Sequence, residues 1–237
     1  MNHLLTDVRA SYARLAAAQK PAAGVPFYMR AVNRRLGRLL AAVAARLGRT
    51  PNQMTAVSGL FFVAGIAVLA GFEPSVLVAL SVTVLLQLGF AFDAADGQLA
   101  RLTGAGSPAG EWLDHVVDAA RILVLHLGVA VCLHLHTDVD TAWLLVPLGF
   151  AVVASVRFFA QLLADQLSTT AGPVATGRMG GCIQTPADAG VVNLVFLLWP
   201  WTSAFLALYL VLAAGNALLL LATLLRRHSS LSTGATS

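Results

Sequence analysis

Apolar and polar positions along this chain fall into long blocks. Apolar runs close to the length of a bilayer-crossing helix lie at about 55–71, 76–92, 111–135, 141–163 and 203–225. A shorter run, 188–199, is expected to begin a few residues earlier so as to span as well. Ahead of these blocks, 27–49 has a different rhythm. Val32, Leu36, Leu39, Leu40, Val43 and Leu47 recur three and four apart, while Arg30, Arg34 and Arg38 line up at i, i+4 on another face. That is a basic amphipathic helix suited to the headgroup region. The break at Thr50-Pro51 starts a new helix, because proline disfavours helix in the residue before it and suits the first turn. The predicted fold class is all-α integral membrane, with six transmembrane helices preceded by an amphipathic interfacial helix. The parts are a partly ordered cytoplasmic arm at 1–26, the interfacial helix at 27–50, a six-helix catalytic domain at 51–226 and a cytoplasmic tail at 227–237.

Composition agrees with that pattern. Of 237 residues 58% are hydrophobic and 11% charged, with mean hydropathy +0.78, whereas a soluble domain carries about 25% charged residues. The net charge of +4 does not point to nucleic acid, because the basic residues flank apolar spans and so face a membrane surface. With the N-terminus inside, the outer loops are 72–75, 136–140 and 200–202, and none of the 15 lysines and arginines falls in them. This positive-inside pattern predicts cytoplasmic termini and a cell-membrane location, the bacterial inner membrane on the Ala-, Leu- and Arg-rich composition. No short apolar core with a small-residue cleavage site opens the chain, so the first span is expected to act as its own insertion signal. Cys132 and Cys182 resemble neither a disulfide framework nor a zinc motif.

Against this background four aspartates between positions 93 and 118 stand out. A carboxylate within a membrane helix costs about 2.5–3.5 kcal/mol on the mildest scale and marks a functional site by default. If the helix of the second span continues past Phe92, then Asp93, Asp96, Gly97, Ala100 and Arg101 share one stripe. Asp114 and Asp118, at i, i+4, share a face of the third. A turn at 102–110 that folds the two helices antiparallel brings all four carboxylates together. So many acids cannot all ionise without a counter-charge. Hard oxygen ligands suit Mg²⁺ or Mn²⁺, and two such ions clamp a displacement at phosphorus. Gly97 and Gly110 leave room for a ligand, and Arg101 offers a cation to phosphate. Residue chemistry thus predicts a divalent-metal site for a phosphate-bearing substrate at the cytoplasmic edge. A transporter, the remote alternative, predicts acids spread through several spans and repeat symmetry, and neither is present.

The run Asp93-x2-Asp96-Gly97-x2-Ala100-Arg101-x8-Gly110-x3-Asp114-x3-Asp118 resembles, at every fixed position, the signature of the CDP-alcohol phosphotransferase (CDP-alcohol phosphatidyltransferase) family. The Pro51-Asn52-x2-Thr55 start of the first span is similar to that family's too. The resemblance implies a phospholipid-biosynthetic transferase of homodimeric habit, with two Mg²⁺ or Mn²⁺ ions held by Asp93, Asp96, Asp114 and Asp118. It implies Asp118 as general base, Gly97, Ala100, Arg101, Ser107 and Gly110 around the CDP group, and Asn52 and Thr55 closing that site. CDP-diacylglycerol is the favoured donor, to an alcohol acceptor. The alternative is a CDP-choline or CDP-ethanolamine type acting on diacylglycerol, because the run from Ser107 to His115 is similar to that of those enzymes.

Arg157, Arg178 and Arg121 are candidates to hold an acceptor phosphate, with snorkelling or ion pairing as their ordinary alternative. His115 is placed as support beside two of the carboxylates, and His126, His134 and His136 as packing or interfacial residues. Trp112, Trp143, Trp199 and Trp201 sit near span ends, as an aromatic belt does.

Overall fold

The structure, a computed structural model, describes residues 2–17, 25–167 and 183–234. Every regular element among them is helical. α1 covers Asn2–Ala17, α2 Arg34–Arg46, α3 Pro51–Gly71 and α4 Val76–Thr103. α5 covers Pro108–His136, α6 Leu145–Leu167, α7 Ala189–Val195 and α8 Thr202–Gly234.

Local chemistry sets these bounds. Thr50 and Gln53 form a reciprocal capping box at the start of α3, with Pro51 in its first turn. Ser75 and Ser107 cap α4 and α5 by accepting the N–H groups of Val78 and Gly110. α4 stops at Gly104, whose φ of 67° is the left-handed conformation that a glycine adopts without a Cβ penalty.

Among the described residues five helices are long and apolar enough to cross a membrane: α3, α4, α5, α8, and α6 with its 3₁₀ lead-in Thr141–Leu144. Leu60, Leu77, Val152, Val211 and Leu218 on these helices are largely exposed, a surface suited to hydrocarbon and not to water. The fifth expected span, 188–199, is where the structure departs from the sequence reading. Residues 188–199 form only α7 and a 3₁₀ turn, Phe196–Leu198. Ala189–Leu198 makes about 15 Å of helix, half the roughly 30 Å of hydrocarbon. It is cut short by the Asp188 cap at one end and the turn at Trp199-Pro200 at the other. The ends add detail that the sequence reading did not specify. A helix, α1, occupies the expected arm, and α8 runs on through Arg226-Arg227-His228, where the last span was expected to stop.

Two apolar clusters bracket the aspartates. The larger packs Leu69, Val82, Leu133, Phe150, Trp199, Phe205 and Tyr209. The smaller joins Leu15 of α1 to Ala41 and Ala44 of α2, Met54 of α3, and Ala95 and Leu99 of α4. α2 therefore buries its small residues, Gly37, Ala41 and Ala44, while the larger Leu36, Leu39 and Val43, with Leu47 at its C-cap, stay exposed. A π-helical turn, Met29–Asn33, leads into it, and Asn33 Nδ2 donates to the Phe90 carbonyl of α4 at 3.0 Å.

Candidate functional site

α4 continues unbroken past Phe92 and α5 packs on the same helix, α3, so the four aspartates converge. Carboxylate oxygens of Asp93, Asp96 and Asp114 lie within 4.8 Å of one another, and Asp114, His115 and Asp118 form a second such group. Asp114 belongs to both. Its Oδ1 is buried with no hydrogen-bond partner among the described residues. Two like charges about 4 Å apart repel by about 4 kcal/mol at an effective dielectric near 20. Arg121 answers part of this, its Nη2 donating to Oδ1 of both Asp93 and Asp118. One guanidinium does not balance four carboxylates. An acceptor-only oxygen set with an orphaned buried atom fits a hard divalent cation such as Mg²⁺ or Mn²⁺.

The first span closes one side. Thr55 Oγ1 donates to Asp96 Oδ2 at 2.7 Å, and the Gly97 N–H donates to the other oxygen of that carboxylate. Asn52 reaches the start of α5: a Cβ on Gly110 would lie 3.2 Å from Asn52 Oδ1, so a larger residue there would crowd the pair. Arg101 folds back along α4, with Nη1 about 3.6 Å from where a Gly97 Cβ would be. The Ala100 carbonyl accepts the N–H of Ala105 at 3.2 Å in the turn, and the Ser107 hydroxyl is engaged as the α5 cap. Nearby on the interfacial side, burial and then the like charge of Arg101 pull the Arg34 guanidinium below its usual value.

Arg157 lies apart from the carboxylates yet lines the same cavity, of about 290 Å³, as Asp93, Asp118 and Arg121. Its Nε donates to Asn216 Oδ1 at 2.9 Å and its Nη1 to Gln161 Oε1 at 3.3 Å. No carboxylate pairs with it among the described residues. Arg178, the third expected acceptor arginine, and Cys182 lie outside the described residues.

Several residues here escaped the sequence reading. Ser58, fully buried, accepts from Arg121 Nη1 at 2.9 Å and donates to the Gly89 carbonyl at 2.7 Å. Asp188 accepts the N–H of Met29 at 3.0 Å and that of Gly190 at 3.1 Å, tying the segment before α2 to the cavity wall. Burial, with the Asp188 carboxylate behind it, pushes the Tyr28 phenol above its usual value. Asn216 Nδ2 donates to the Pro186 carbonyl at 2.5 Å. One signal could have found Ser58 and Asn216: each is a lone polar residue inside a strongly apolar run.

Comparison with known proteins accords with this geometry. An archaetidylinositol phosphate synthase of Pyrococcus horikoshii is 35% identical over 96 residues, which are 40% of this chain and 46% of that protein. The chain thus aligns with less than half the length of that relative. The sequence pattern of CDP-alcohol phosphatidyltransferases matches residues 49–225, a stretch that includes all four aspartates and Arg157. The chain belongs to the CDP-alcohol phosphatidyltransferase family.

Proposed function

We propose that this protein transfers a phospholipid head group, moving a substituted phosphate from a CDP-linked donor to an alcohol with release of CMP. The observation that carries the reading is the convergence of Asp93, Asp96, Asp114 and Asp118 beside a cavity that Asp93, Asp118 and Arg157 line. The four aspartates would hold two Mg²⁺ or Mn²⁺ ions, whose chemistry there is to neutralise the pyrophosphate. Asp118 takes the proton of the acceptor hydroxyl. That oxygen bonds to the β-phosphorus, the bond from this phosphorus to the oxygen it shares with CMP breaks, and the electron pair leaves with CMP. Gly97, Ala100, Arg101, Ser107 and Gly110 line the CDP site in this reading, with Asn52 and Thr55 at its edge.

The donor we favour is CDP-diacylglycerol and the acceptor a small alcohol carrying a phosphate. Arg157 supports this, because neutral amides hold its guanidinium and an incoming phosphate would supply the missing anion. The name of the Pyrococcus relative points the same way, to a lipid-linked group and inositol phosphate. Arg121 and Arg178 are the further acceptor candidates. The choline or ethanolamine alternative keeps the resemblance of the run from Ser107 to His115 in its favour.

We read the exposed Leu36, Leu39 and Val43 of α2, with Leu47 at its C-cap, as support for an interfacial helix. In the same reading α7 belongs to a sixth membrane element, the site and both termini face the cytoplasm, and the protein is a homodimer.

The test is CMP release by purified protein with Mg²⁺ or Mn²⁺. CDP-diacylglycerol is paired with glycerol phosphate, inositol phosphate or serine, and CDP-choline or CDP-ethanolamine with diacylglycerol. Asp118→Asn is expected to lower turnover by about 10²–10⁴-fold, the usual worth of a general base, with expression intact. Full activity in that variant would remove Asp118 from the role.

A further inference from the structure

The wall of the same cavity includes His126, which with its buried partner Tyr209 makes a polar pair that the chemistry above does not use. His126 lies eight residues, about two turns or 12 Å, beyond Asp118 on α5 and lines the cavity with it. His126 is 4% and Tyr209 of α8 0% exposed. Polar groups at this depth in a spanning helix are costly, so they are seldom present for packing alone. His126 Nδ1 bonds the Tyr209 hydroxyl, and its ring stacks on Phe150 with centroids 4.0 Å apart.

The tautomer follows from hydrogen-bond accounting. If His126 Nδ1 carried the proton, the Tyr209 hydroxyl would accept it and leave its own proton unpartnered, which is costly in a fully buried group. The phenol therefore donates to Nδ1, and the proton of the imidazole is on Nε2. No protein group among the described residues pairs with that N–H, and the cavity is where His126 meets open space.

We propose that His126 is a specificity-determining residue whose Nε2–H donates to an oxygen of the acceptor alcohol other than its reacting hydroxyl. The ligand class is an oxygen-rich, polyhydroxylated or phosphorylated small molecule. Tyr209 and Phe150 act as positioning residues that fix the ring. This rests on the proposed head-group transfer and adds how the acceptor is told from simpler alcohols.

The test measures KM for acceptor and donor separately. It uses CDP-diacylglycerol with inositol 1-phosphate and, in parallel, with glycerol 3-phosphate. His126→Phe is expected to raise the KM of the better acceptor about tenfold, the worth of one buried hydrogen bond, with donor KM unchanged. His126→Gln, which restores a donor, recovers part of the loss. Tyr209→Phe keeps the ring stack, and should raise acceptor KM also if His126→Phe does not fold. Acceptor KM within twofold of wild type in the folded variants overturns the proposal, as does an equal rise in both KM values. Absence of CMP release by the wild-type protein with every donor and acceptor would instead overturn the head-group transfer itself.

Discussion

Ser58 does more than its size suggests. It is fully buried and holds Arg121 Nη1, while Arg121 Nη2 bridges Asp93 and Asp118. Ser58→Ala leaves one guanidinium N–H unpaired, so it should cost about 1–3 kcal/mol of stability, read as a lower Tm, and lower turnover several-fold. Arg121 itself can be tested through metal linkage. Arg121→Gln removes the cation that bridges two of the four aspartates, and their mutual repulsion then falls on whatever divalent ion is bound. Adding Mg²⁺ to EDTA-treated protein is therefore expected to raise Tm more in Arg121→Gln than in wild type. An equal or smaller rise would show that the guanidinium and the ion do not share these carboxylates. The aspartates are legible in the sequence because each is an expensive charge at a regular spacing. Ser58 was not, because one serine in an apolar run has many ordinary explanations.

At the level of elements, the sequence was most informative where one physical signal decides the outcome. The Thr50-Pro51 break marks where α3 begins, whereas α5 begins at Pro108, inside the turn expected at 102–110, because Ser107 caps it there. The amphipathic segment is a subtler case. Its apolar period suits the headgroup region but does not say which residues meet the other helices: the structure packs Gly37, Ala41 and Ala44 against α4 and leaves the leucines outside. A Cβ on Gly37 would come within 3.0 Å of Ala94 and Gln98, so close backbone approach, not side-chain size, chose the contact face. Asp188 ties this segment to the cavity through the Met29 N–H. Asp188→Ala removes the partner of that N–H and the cap of α7. It should lower Tm by several degrees and increase protease cleavage between residues 25 and 33, with a higher acceptor KM because the cavity wall loosens.

For the molecule as a whole, the membrane character and the convergence of α4 and α5 were readable because both follow from local pattern. The short length of the fifth expected span was not, since an apolar run of that size suits a buried short helix as well as part of a spanning one. Nor was the cavity. Its polar lining runs from Asp93 on α4 to Asn216 on α8, and no local pattern announces that Arg157, Asp188, Asn193 and Asn216 join the aspartates there.

The order of the site along the chain has a consequence for biogenesis. Chains emerge from the ribosome N-terminus first. All four acids and Arg121 lie on α4 and α5, whereas Arg157, Asp188, Asn193 and Asn216 come later. A half-made chain thus brings its negative charges to the bilayer before the cavity has a far wall. Until α6 to α8 arrive, Arg121 on α5 and Arg101 on α4 are the cations carried with the acids.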